Sequence, residues 1–304
     1  MTGKRLRVRK RALFRQLGYE PHPGQVLVHK SKAKRLVLAC GTRWGKSLCA
    51  SMEGVAALLQ PCEESRGWIV APTYDLCGRT FLIVESAIRK HWPHRLVASN
   101  TKERRVIVRN LGGGLSELAC KSADRPVGLL GAALDWMIVD EAARLRDDTW
   151  QRYLSPRLID RDGWALLVST PAGTNWFYRE YRRGLRREAG FESWSSPSSD
   201  NPHLPEGIID EERGRMAEDV FEQEYLAQFA GAETEPCLTC GGPSRDVPMV
   251  HVTTDRASLS ECAECGELVD AEGATIVHRT ADGHAMVRVI DLSWDGVEPK
   301  SMAE

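Results

Sequence analysis

The chain has 304 residues, of which 42% are hydrophobic and 27% charged, with a formal net charge of −1. That length buries one substantial core plus a smaller module, and the near-neutral balance gives no global field to gather nucleic acid. No run of eighteen apolar residues occurs and the basic N-terminus has no hydrophobic signal core, so the expectation is a soluble, intracellular chain with no membrane span.

Residues 1–36 carry eleven Lys/Arg against a single acid, Glu20. Such an arm contacts phosphate or an acidic partner, or is simply a solvated segment. Residues 1–20 read as a basic helix, with Leu6, Leu13, Phe14 and Leu17 as a weak apolar stripe. Pro21-His22-Pro23-Gly24-Gln25 breaks it, and a short helix follows to about Lys32. The apolar run at 36–39 reads as a buried strand, and small and apolar residues recur at helical spacing over 47–59. Between them lies Cys40-Gly41-Thr42-Arg43-Trp44-Gly45-Lys46-Ser47. Strand, glycine loop and helix in that order make a phosphate-binding loop, because backbone N–H groups at the helix start point at the anion and the helix dipole favours it. Lys46 is then placed for the β- and γ-phosphates and the Ser47 hydroxyl for Mg²⁺. One position departs from the pattern: the usual first glycine, five residues before Gly45, is Cys40.

Further strands are expected at 68–71 and 164–168, a helix at 80–89, and a hairpin from 104–109 and 115–121 around Gly112-Gly113-Gly114. Asp135-Trp136-Met137-Ile138-Val139 is another apolar run, ending in Asp140-Glu141. An acidic pair at the carboxyl end of a buried strand sits where open α/β sheets bind ligands. Asp140 would hold the Mg²⁺ shell through water and Glu141 would orient or deprotonate the attacking water. The bland alternative is a strand ending in surface acids; with the loop upstream, ATP hydrolysis is the stronger reading. A helix around 149–154 follows, and the 164–168 strand closes in Ser169-Thr170-Pro171. Strands alternating with helices argue a mainly parallel sheet covered on both faces. Residues 177–187 and 211–229 look helical, separated by a Ser/Pro-rich stretch at 195–205, and suit a small helical subdomain over about 175–232.

Composition shifts after Gly231. Residues 236–304 carry five Lys/Arg against twelve Asp/Glu. Cys40, Cys49, Cys62, Cys77 and Cys120 are scattered, as reduced thiols are, whereas Cys237-Leu238-Thr239-Cys240 and Cys262-Ala263-Glu264-Cys265 are paired. Two such knuckles can converge on one tetrahedral Zn²⁺ as four thiolates, a closed and therefore structural site in a zinc-ribbon-like tail at 233–304. His251, His278 and His284 read as surface histidines, and the tail's acidic balance suits docking to another protein rather than a DNA clamp.

Taken in order, these features resemble the ATPase domain of the large terminase subunit of tailed double-stranded DNA phages, over residues 10–232. Pro21-His22-Pro23-Gly24-Gln25 is similar to the family's adenine-recognising glutamine motif, and Gln25 has both the donor and the acceptor that adenine's edge requires. Gly41 to Ser47 resembles its arginine-bearing phosphate loop, Ala71-Pro72-Thr73-Tyr74 its following strand end, and Asp140-Glu141-Ala142-Ala143 its acidic motif. Ser169-Thr170-Pro171 with Gly173-Thr174-Asn175-Trp176-Phe177-Tyr178 resembles its coupling motif, and the run from Phe221 to Phe229 the end of its ATPase region.

The resemblance implies an α/β P-loop NTPase of the ASCE type, over residues 21–232 behind the basic arm at 1–20. Its nucleotide would sit on Gln25, Gly41, Thr42, Gly45, Lys46, Ser47 and Asp140, with Glu141, Lys46 and Arg43 catalytic and Ser169 and Thr170 coupling. It implies a motor that moves double-stranded DNA through a portal protein into a procapsid, as a homo-oligomeric ring working with a small terminase subunit in the host cytoplasm. Two departures concern arginine: Thr42-Arg43 stands where relatives often have two arginines, and Leu130 where they often place a trans arginine, leaving Arg125 as the nearest substitute. Full-length relatives fuse this ATPase to a nuclease, and the roughly seventy residues after the matched region are too few for one, so cleavage is expected from a separate nuclease subunit. Asp291 and Asp295 read as tail surface acids. The other readings are a helicase-like nucleic-acid remodelling ATPase and a non-catalytic zinc-bearing assembly adaptor.

Overall fold

The computed structural model describes residues 7–186 and 188–231, with the backbone of two strands at 259–261 and 268–270. In chain order it runs α1 (Lys10–Leu17), α2 (Pro23–Lys30), β1 (Arg35–Cys40), α3 (Lys46–Leu59), β2 (Glu64–Ala71), α4 (Tyr74–His91), β3 (Leu96–Asn100), β4 (Arg105–Arg109), β5 (Leu115–Ser122) and β6 (Trp136–Asp140). A short α5 (Asp147–Thr149) runs into a π-helical turn at Trp150–Leu154, followed by β7 (Trp164–Ser169), α6 (Trp176–Leu185), β8 (Phe191–Ser196), α7 (Ile208–Arg213) and α8 (Glu218–Glu224). Strands β9 (Leu259–Glu261) and β10 (Leu268–Asp270) pair antiparallel, on either side of Cys262 and Cys265 in sequence. All four tail cysteines lie outside the described residues.

One eight-stranded sheet has the order β3-β4-β5-β2-β6-β7-β1-β8. From β5 to β8 every neighbouring pair is parallel; β3, β4 and β5 form an antiparallel edge. Alternation along each strand feeds two cores. Leu36, Leu38 and Cys40 of β1 join Trp136 and Ile138 of β6 under α1, α3 and α4. Val37, Ala39, Met137 and Val139 face Leu145, Trp150, Trp176 and Phe177 on the other side. Burial on both faces explains why β1, β6 and β7 read as continuous apolar runs. Parallel register then brings three strand ends level: Ala39 pairs with Ser169, and Asp140 with Val168.

Three expectations need correction. The basic segment is not a separate arm from residue 10 onward: α1 buries Leu13 and Phe14 in the core, so its weak stripe is a packing face. The expected helical subdomain contains a strand, because β8 pairs along its whole length with β1 and extends the main sheet. As an edge strand it is only half covered, so Phe191-Glu192-Ser193-Trp194-Ser195-Ser196 carries no apolar run for a sequence reading to find. The long helix expected at 211–229 is two short ones, α7 closing at Gly214 and α8 starting after Ala217. Strand β3, also at an edge and mostly exposed, was not expected at all. Of the five scattered cysteines, none of which forms a disulfide among the described residues, all but Cys62 are buried.

The packing of α1 gives a direct test. Phe14 is 1% exposed, with its ring 5.2 Å from Tyr19 and 4.6 Å from His29. Phe14→Ala is expected to lower unfolding free energy by about 3–5 kcal/mol in urea titration. A loss under about 1 kcal/mol would place α1 outside the cooperative core.

Candidate functional site

The loop leaving β1 is held on all sides by backbone. Gly41 N–H donates to Ser196 O at 2.9 Å, and Thr42 N–H to Glu224 O at 2.6 Å. A Cβ at Gly41 would stand 2.4 Å from Ser198 Oγ and 2.5 Å from Tyr225 O, so only glycine fits there. Ser198 Oγ donates to Thr42 O (2.5 Å) and Asn201 Nδ2 to Arg43 O (2.7 Å). Trp44, 1% exposed, packs edge-on against His22 and donates through Nε1 to Ser196 Oγ at 2.7 Å. Gly45, at φ +102°, turns the chain into α3. The first turn of α3 has neither a side-chain cap nor an acid, leaving its positive end for an anion.

Lys46 is buried, and its Nζ donates to Cys40 O (2.8 Å), Gly41 O (2.8 Å) and Thr170 Oγ1 (3.1 Å). Burial pulls its ammonium below the ordinary lysine range, and Glu141 and Asp140 are among the groups pushing the other way. Beside it Ser47 Oγ donates to Asp140 Oδ1 at 3.1 Å, and Thr80 Oγ1 to Asp140 Oδ2 at 2.6 Å. Burial is the largest influence on Asp140 and raises its carboxyl, against the Thr80 and Ser47 hydroxyls that lower it. Glu141 takes the left-handed conformation, φ 54°, a strained choice for a residue with a side chain. Its carboxylate is partly exposed and pairs with Arg144 at 3.3 Å; Arg144 also reaches Glu224 of α8 at 3.6 Å.

The expected residues therefore converge from β1, β6 and β7, with differences of detail. Thr170 touches Lys46, whereas Ser169 Oγ is buried with no hydrogen-bond partner among the described residues. Arg43 lies exposed at the loop tip with φ 63°. Gln25 is 3% exposed and turned onto the loop: Nε2 donates to Gly45 O at 3.3 Å, while Oε1 accepts from Tyr19 Oη and the His22 N–H. Arg125 and Leu130 are both exposed, flanking a 3₁₀ turn at Pro126–Leu129. Sequence reading missed Thr80, Arg144 and the clasp made by Ser196, Ser198 and Asn201. Only the Ser/Pro-rich composition of 195–205 hinted at a backbone-binding segment there.

A metal has a place here. Ser47 and Asp140 set a hydroxyl and a carboxylate side by side at the helix start, the oxygen donors Mg²⁺ takes together with phosphates. Among the described residues no cluster of three or more His, Cys, Asp or Glu offers an all-protein cage.

No family model matches the chain. Over 255 residues it is 38% identical to the large terminase subunit of Thermus phage G20c, covering 74% of this chain and 52% of that one. The chain belongs to the large terminase subunit family. It is 30% identical over 227 residues to the large terminase subunit of Escherichia phage T5, covering 72% of this chain and 50% of that one. The large terminase ATPase domain of Thermus phage P74-26 matches with a TM-score of 0.64 and 36% identity, over 71% of this chain and 97% of that domain. This terminase chain thus spans about half the length of the curated relatives it matches. Among its described residues no helix is long and apolar enough to cross a membrane.

Proposed function

We propose that this chain is the ATP-hydrolysing subunit of a phage DNA-packaging motor, driving double-stranded DNA through a portal into a procapsid. The supporting observation is the meeting of Lys46, Ser47, Asp140 and Glu141 at the carboxyl ends of β1 and β6. Lys46 exchanges the loop carbonyls of Cys40 and Gly41 for the β- and γ-phosphates of ATP. Ser47 and Asp140 would hold the magnesium ion, which neutralises charge on the phosphates when bound. Glu141, released from Arg144, orients and deprotonates the attacking water, and Arg43 offers a cis cation to the γ-phosphate. Gln25 reads adenine with its amide once that leaves Gly45.

Coupling runs through Thr170, bonded to Lys46, and Ser169 beside it, toward α6. Asn175 caps α6 and donates to Ala143 O at 2.7 Å, tying that helix to the Glu141 turn. In this reading a ring of such subunits works with the small terminase subunit at the portal. Cys237, Cys240, Cys262 and Cys265 would hold a structural zinc; one zinc per chain, lost in Cys237→Ser, is the expected metal analysis.

Thr80→Val is expected to raise the Mg²⁺ needed for half-maximal turnover about 10- to 100-fold, since Thr80 orients the carboxylate that holds the ion. An unchanged Mg²⁺ requirement would detach Thr80 from the site. The function itself is tested by ATP hydrolysis with no DNA, with blunt duplex and with single strands. Duplex-selective stimulation is expected; single-strand selectivity would favour a helicase-like remodeller instead.

A further inference from the structure

Behind Gln25 runs a buried polar chain, Tyr19, His29 and Glu53, that the proposed chemistry does not use. Gln25 has its orientation set by two partners: the His22 N–H needs the amide oxygen (3.2 Å) and the Gly45 carbonyl needs the amide nitrogen (3.3 Å). The atom facing Tyr19 Oη at 2.9 Å is therefore Oε1, and the phenol must give it its one proton. Tyr19 Oη is then the acceptor toward His29 Nε2 at 3.0 Å, so that ring nitrogen carries a hydrogen. On the other side of the ring, Nδ1 lies 2.6 Å from Glu53 Oε1, whose second oxygen takes the Lys10 ammonium at 2.8 Å. An imidazolium on a Glu53 carboxylate satisfies every contact. Take one proton away, and the ring keeps Nδ1–H for Glu53 while Nε2 becomes an acceptor. It claims the Tyr19 proton, and Gln25 Oε1 then faces a phenol oxygen with nothing to donate.

Several titratable groups face the His29 ring. Burial pushes its imidazolium below the ordinary value, Glu53 resists and Lys10 of α1 reinforces the fall. Burial alone would raise Glu53, but Lys10 and His29 overcome it and keep the carboxylate ionised. Burial raises both Tyr19 and Cys49, whose thiol lies 3.8 Å from Nε2, so both stay neutral. His22, in the turn before α2, is itself lowered, first by burial and more weakly by the neighbouring His29. Lys10, His29 and Glu53 line a cavity of about 1540 Å³ at the amino ends of the strands.

We propose that Tyr19, His29 and Glu53 are positioning residues that hold Gln25 on the phosphate loop, and that nucleotide binding is linked to release of the His29 proton. This rests on the reading of Gln25 as the adenine contact, because adenine needs the amide that Gly45 and Tyr19 now occupy. The sign follows from reciprocity. Nucleotide favours the ring without its second proton, so it lowers the His29 titration midpoint, and Mg-ADP affinity rises with pH by up to about tenfold per unit.

The test reads the ring itself by NMR of the full chain with labelled histidine, since the terminal phosphate titrates in the same range. The His29 signal is assigned by its loss in His29→Gln. Mg-ADP is expected to lower the His29 midpoint in the wild type and to leave it unmoved in Tyr19→Phe, which keeps the ring against Phe14; a thermal melt verifies folding. An identical midpoint with and without Mg-ADP, or a shift that survives in Tyr19→Phe, overturns the proposal. Gln25→Ala separates the underlying reading. An ADP-to-GDP preference unchanged in that variant removes Gln25 from adenine recognition, and the His29 comparison then decides the relay alone.

Discussion

Glu141→Gln is expected to lower ATP turnover about 10²- to 10⁴-fold while leaving nucleotide affinity within a few-fold of wild type. The amide keeps the shape of the side chain and its place at the end of β6, and loses only the ability to take a proton. Because the carboxylate is 29% exposed and its ion pair to Arg144 is itself largely solvated, folding stability changes little. Single-turnover hydrolysis beside a nucleotide-binding titration separates the two effects. Turnover within tenfold of wild type would move the base elsewhere. A matching loss of affinity would mean that Glu141 binds rather than activates. The left-handed backbone at Glu141, φ 54°, adds a reason to expect a chemical role.

Lys46→Met is expected to abolish the thermal stabilisation that nucleotide confers. At a hundred times its dissociation constant, Mg-ADP adds about 2.7 kcal/mol to the wild type, a rise of roughly 5–10 °C in melting temperature for a folded unit of this size. In the variant the rise disappears, because the loop's buried cation is gone while its amides remain. The nucleotide-free variant should melt near the wild type: losing three hydrogen bonds to Cys40 O, Gly41 O and Thr170 is offset by no longer burying an ammonium. A full nucleotide-dependent shift in Lys46→Met would mean that the amides of α3 alone carry the phosphates.

How far the site was legible depended on where each residue's partners lie along the chain. Lys46 and Ser47 follow β1 directly, and Asp140 and Glu141 end β6, so an apolar run beside a polar cluster displayed both. Thr80 approaches Asp140 from mid-helix across 60 positions, on a face of α4 that in sequence is only one small polar residue among apolar ones. Ser198 and Asn201 bind loop carbonyls more than 150 positions away through backbone acceptors, which every residue has and none advertises. Gln25 was found, yet its orientation was not, because that depends on Tyr19 and Gly45 competing for its two ends.

The sequence by itself determined the strand-loop-helix unit, the acidic strand end and the doubly covered sheet. Those features rest on local periodicity and on burial strong enough to make whole strands apolar. Tertiary structure alone decided that α1 belongs to the core, that Phe191–Ser196 is a strand beside β1, and that a clasp from residues 196–201 and 224–225 closes on the phosphate loop. In each case the stabilising partner is a distant backbone or a surface half covered by another element. Such contacts are made by the fold as a whole, so no window of neighbouring residues contains them.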